Sequence, residues 1–180
     1  GDAPVDDRPP ELPVLRPGEL KQDWQVAAPV LSVGVRNLLD RAAAAMLAHL
    51  AVKHGVGTRL LGPEDVTPAK INELEVGNAR LAILSNLDAA GAPAHTRLLT
   101  RRLSRRAPQL DFLIGSWGES KLLRVAKEEG ASAAPRVTCL REALEFILSA
   151  ARNEQASETE QPRVQGAIQD PEPRDLLPTK

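Results

Sequence analysis

Apolar runs of strand length, each handed on to a helical pattern, recur five times between residues 29 and 152, and this alternation constrains the fold more than any other feature. The run PVLSVGV (29–35) is rich in valine and leads into a helix from about Leu38 to His54. GTRLLG (57–62) is a short strand entered through Gly55 and Gly57, which read as helix-stop residues. Thr67 and Pro68 open a short helix to Leu74, with Thr67 as its N-cap and Pro68 in its first turn. ARLAILSNL (79–87) is apolar on both faces, the pattern of a central parallel strand. A helix from Pro93 to Ala107, the strand QLDFLIGSW (109–117) and a helix from Glu119 to Glu129 follow. The strand PRVTCL (135–140) and a helix over 140–151 complete the series. This repetition predicts a doubly wound α/β fold: a five-stranded parallel sheet with helices on both faces and right-handed connections.

The expected strand order is 2-1-3-4-5, the flavodoxin-like arrangement. Residues 1–28 hold Pro4, Pro9, Pro10, Pro13 and Pro17 without a sustained apolar period. They read as an extended linker or arm whose end Trp24 pins to the domain. Residues 153–180, rich in proline, glutamine and glutamate, read as a mostly disordered tail, which leaves 29–152 as the globular unit. The chain opens on Gly1 and its single methionine, Met46, lies inside the first helix. Both features point to a fragment of a longer protein or to a removed leader.

Charge and composition narrow the function classes. Lysine plus arginine number 23 against 24 acids, a formal net charge of -1, so no global field draws the chain to nucleic acid. Aromatic residues make up 2% and tyrosine is absent, which leaves almost no stacking platform for single strands. Cys139 is the only cysteine, so an internal disulfide and a cysteine-cluster metal site are excluded. One cysteine fits a reducing compartment.

In this topology the carboxyl ends of the first, third and fourth strands line one crevice. Asn37, Ser85, Asn86 and Ser116 collect there, and Gly115 and Gly118 permit close backbone approach to a ligand. The same residue types equally cap helices and satisfy turns. Two catalytic alternatives fail on residue type. A phosphorelay receiver needs an acidic pair ending strand one and an aspartate ending strand three; the sequence has Gly34-Val35-Arg36-Asn37 and Ser85-Asn86 instead. A hydrolase needs G-x-S-x-G with an acid and a histidine at later strand ends, whereas GSWG (115–118) is one residue short and all three histidines precede it. His49 and His54 are five apart and share no helix face, and His95 opens the third helix. No catalytic set, no metal site and no bound cofactor is expected.

The helix HTRLLTRRLSRR carries Arg97, Arg101 and Arg105 at a spacing of four, one outward stripe, with Leu98, Leu99 and Leu103 expected against the sheet. Such a stripe is a solvated face or a contact for phosphates, of lipid headgroups or of nucleic acid.

Taken together, the series resembles the cobalamin-binding domain, whose D-x-H-x-x-G loop after strand one carries the cobalt-ligating histidine. Ser85-Asn86-Leu87 is similar to that family's S-x-L and Gly115-Ser116-Trp117-Gly118 to its glycine-rich turn. The loop Arg36-Asn37-Leu38-Leu39-Asp40 departs from the pattern in having neither the aspartate-histidine pair nor the glycine. The stretch 29–130 also resembles the soluble domains that follow the membrane region of bacterial permeases of the autoinducer-2 exporter type. These resemblances imply a non-catalytic, cytosolic domain with a degenerate site, serving ligand sensing, regulation or assembly at the cytoplasmic face of the inner membrane. Its implied partners are the membrane-embedded region of the same longer chain and anionic lipid, and homo-oligomerisation is compatible with it. The alternatives are a working cobalamin- or nucleotide-binding domain of an enzyme or sensor, and a nucleic-acid adaptor acting through the arginine helix.

Overall fold

A computed structural model describes residues 9–87, 93–117 and 134–154. The apolar runs form strands β1 (Val30–Gly34), β2 (Thr58–Leu61), β3 (Leu81–Asn86), β4 (Asp111–Ser116) and β5 (Arg136–Val137). Among the described residues the helices are α1 (Leu38–Lys53), α2 (Pro93–Arg106) and α3 (Leu140–Ala151). All strand pairs are parallel and the order is β2-β1-β3-β4-β5, the doubly wound, flavodoxin-like sheet that the alternation predicts. The expected helix from Glu119 to Glu129 lies outside the described residues.

The sheet is buried on both faces, so its central strands carry no polar alternation. Val30, Leu81, Ile83 and Leu113 point to one side, where Leu47 and Ala51 of α1 and Leu144, Ile147 and Leu148 of α3 cover them. Leu31, Val33, Ala82 and Leu84 point to the other, under Leu99 and Leu103 of α2 and the buried Val66, Ile71, Leu74 and Val76.

Two expectations are corrected. The helix expected from Pro68 to Leu74 is only a short 3-10 turn at Lys70–Asn72. Its N-cap is Ala69 rather than the expected Thr67, whose hydroxyl accepts the Lys70 amide at 3.4 Å, and so short a segment returns too few hydrogen bonds to offset helix nucleation.

The second concerns the amino-terminal arm. Residues 9–28 are extended and proline-rich as expected, yet they are docked along the domain. Leu15, Leu20 and Trp24 are buried with α1, α3 and the sheet in one core cluster. The Leu15 amide donates to the His54 carbonyl at 2.9 Å, and the Lys21 amide to that of Ala151 at 2.8 Å. Gly55, at φ 87°, ends α1 where a Cβ would stand 1.9 Å from the Leu15 carbonyl oxygen, so the crossing of arm and helix requires glycine. The packed unit therefore begins before residue 29, and the arm is part of its core.

Candidate ligand crevice at the carboxyl edge of the sheet

The turn between β1 and α1 is built around an aspartate. Asn37 caps α1, its Oδ1 accepting the Asp40 amide at 2.9 Å. Asp40, 1% exposed, accepts the Arg36 amide at 3.0 Å and, through its other oxygen, the Leu87 amide at 2.8 Å. One carboxylate thus closes the helix entrance and ties it to the chain leaving β3, at the point where the strand order reverses. The turn does not need a glycine fingerprint because a buried carboxylate and a cap hold its backbone instead. Asp40 was not among the residues expected to form the site. The pattern Asn-x-x-Asp before an apolar helix, a variant of the capping box, is the signal that could have found it.

Ser85, Asn86, Leu87, Gly115 and Ser116 are brought to the same edge, where Asn86 and Ser116 are engaged internally. Gly34, Ser85 and Gly115 are register neighbours across β1, β3 and β4. A Cβ on Gly34 would lie 2.4 Å from Cα of Arg41, and one on Gly115 would lie 2.2 Å from the ring of Trp117. The space above both glycines is therefore filled by the first turns of α1 and by the indole. Asn86 is 3% exposed and takes the Thr96 hydroxyl at 3.5 Å. Ser116 is 1% exposed and accepts from Arg136 at 3.0 Å. Leu87 stands exposed at the mouth. Gly118 lies outside the described residues.

The Ser85 hydroxyl and the Trp117 indole N–H are buried without a hydrogen-bond partner. Each unmet group costs about 1–3 kcal/mol. Ser85→Ala is therefore expected to leave the thermal midpoint unchanged or raise it. A loss above about 1 kcal/mol on chemical denaturation would mean that the hydroxyl is bonded.

These residues do not fit a cobalamin-type group. No histidine occupies the β1–α1 turn, and the space above Gly34 and Gly115 is taken by the backbone of α1 and by the Trp117 indole. His54, at the end of α1, instead places Nδ1 2.8 Å from the Pro13 carbonyl, so that nitrogen carries its proton and holds the arm. Among the described residues no cluster of three or more histidine, cysteine, aspartate or glutamate residues is placed to hold a metal ion.

On the opposite side of the sheet, α2 shows Arg97, Arg101 and Arg105 exposed, as its four-residue spacing predicts. Its inner row is Thr96, Leu99, Leu103 and Ala107, all buried. Leu98, expected against the sheet, is 46% exposed, because a helix that buries positions 96, 99 and 103 turns position 98 to its flank. None of the five arginines of α2 has an acidic partner among the described residues. No helix among the described residues is long and apolar enough to cross a membrane.

Comparison with protein-family models, with curated proteins and with solved structures finds no match to this chain.

Proposed function

We propose that this domain is a non-catalytic regulatory or assembly module of a longer, permease-type bacterial membrane protein, held at the cytoplasmic face with the outer side of α2 turned to anionic lipid. The observation that carries this reading is the charge of α2. It has five arginines in 14 residues, no acid of its own and no acidic partner among the described residues. In a chain of net charge -1, that concentration of arginine is local to one helix. Each arginine near an anionic leaflet contributes about 1 kcal/mol, so the stripe of Arg97, Arg101 and Arg105 supplies a reversible attachment that adds to a covalent tether. Lipid is favoured over single-stranded nucleic acid because the chain has only two tryptophans and two phenylalanines, and Trp24 and Trp117 are both buried. The self-filled glycine row supports a regulatory or assembly role over a working cobalamin-type cofactor domain.

Charge reversal at Arg101 and Arg105 is expected to keep folding within about 0.5 kcal/mol, since both are exposed. The same change should abolish cosedimentation with phosphatidylserine vesicles at low salt, and high salt should abolish that of the unaltered domain. Failure of the unaltered domain to sediment at low salt would overturn the reading. So would equal sedimentation with neutral vesicles, or a preference for single-stranded DNA over the vesicles.

A further inference from the structure

The inner flank of α2 borders a cleft that neither the lipid contact nor the glycine row uses. It has a volume of about 660 Å³, within the range of small-molecule sites. Its walls are the turn after β1 (Val35, Arg36), the loop after β2 (Glu64, Val66, Thr67) and α2 (His95, Leu98, Arg102). It therefore opens at the carboxyl edge of the sheet, where ligands of doubly wound folds are held. The walls combine an apolar lining from Val35, Val66 and Leu98 with donors from three separate segments.

We propose that this cleft binds a small organic phosphate of about nucleotide size. Its anionic group would be met by Arg102, Arg36 and His95, and its apolar body by Val35, Val66 and Leu98. Arg102 is half-buried at the cleft and has no acidic partner among the described residues, so an anion would supply the countercharge that these residues do not. A guanidinium presents its N–H groups as a planar fork that matches a phosphate edge. The one acid in the lining, Glu64, is held by Arg41 at 3.0 Å, which offsets its repulsion of an incoming anion. Thr67 brings a hydroxyl at the rim. The site differs from the lipid-facing stripe in position, because Arg102 and His95 lie on another flank of the helix from Arg97, Arg101 and Arg105. It therefore holds whether or not α2 meets a membrane.

The probe is adenosine 5′-monophosphate, with adenosine as the uncharged comparison, titrated into the 15N-labelled chain and followed by amide shifts. Saturable shifts at Arg36, Val66 and Leu98 are expected with the monophosphate and not with adenosine. Arg102→Gln should weaken binding about tenfold, the usual scale for one charge-assisted hydrogen bond, while Arg105→Gln leaves it unchanged. An unaltered thermal midpoint in Arg102→Gln shows that lost binding is not lost folding. Absence of saturable shifts up to about 10 mM monophosphate, an affinity too weak for a specific site, would overturn the proposal. Equal weakening by Arg105→Gln, or binding of adenosine as tight as that of the monophosphate, would overturn it too.

Discussion

Replacing Trp24 by alanine is expected to cost about 3–5 kcal/mol, the usual range for emptying an aromatic site in a core. The corresponding fall in thermal midpoint is roughly 10 °C or more. Trp24 is 6% exposed and belongs to the cluster that joins the arm to α3 and the sheet, with Leu15 and Leu20 anchored beside it. The effect is large because the indole is the bulkiest side chain buried by the arm. The arm contributes two short 3-10 turns and a few backbone bonds, and its prolines cannot donate to a ladder. A thermal melt followed by far-ultraviolet circular dichroism measures this. A linker outside the core predicts no change, and a shift below about 1 kcal/mol would favour it.

Asp40→Ala is expected to be comparably costly, about 3–5 kcal/mol, because it strands two backbone N–H groups at once. Each is bonded to a carboxylate oxygen that is almost fully buried, and hydrogen bonds to charged groups are worth about 1.5–3 kcal/mol apiece. Asp40→Asn retains one acceptor oxygen and places an NH2 group against the other donor, so its cost should fall between those of the wild type and the alanine variant. Urea denaturation of the three proteins at equal slope reads the order directly. An alanine variant within about 1 kcal/mol of the wild type would mean that the β1 and β3 ends are not held through this side chain.

The sheet was legible because its strands are apolar on both faces and each is punctuated by helix-stop or cap residues. Val30–Gly34 and Leu81–Asn86 have no other stable home than the middle of a covered sheet. The arm was not legible for the converse reason. Leu15, Leu20 and Trp24 are delivered by 3-10 turns and extended backbone, so no helical or strand period marks them. Leu98 leaves the buried row because helical phase, not residue type, sets the inner face, and Thr96 occupies the inner position. At the crevice, residue type gave the right edge of the sheet but not the occupant. Gly34 and Gly115 are small because α1 and Trp117 press on them, an arrangement visible only once the indole is placed. The aspartate that closes the turn belongs, by residue type, only to a loop without the aspartate-histidine pair and the glycine, and its two hydrogen bonds are visible only in the fold.

The claim that the outer face of α2 meets anionic lipid is tested most directly with one reporter on each side of the sheet. Cys139 would be replaced by serine, and a single cysteine carrying a polarity-sensitive fluorophore placed at Ala94 or at Met46. Ala94 continues the exposed stripe of Arg97 and Arg101 on α2, whereas Met46 is 58% exposed on α1, across the sheet. With phosphatidylserine vesicles at low salt, the label at position 94 should brighten and shift to the blue. The label at position 46 should not change, and high salt should reverse the first response. No response at 94, or an equal response at both positions, would contradict the account.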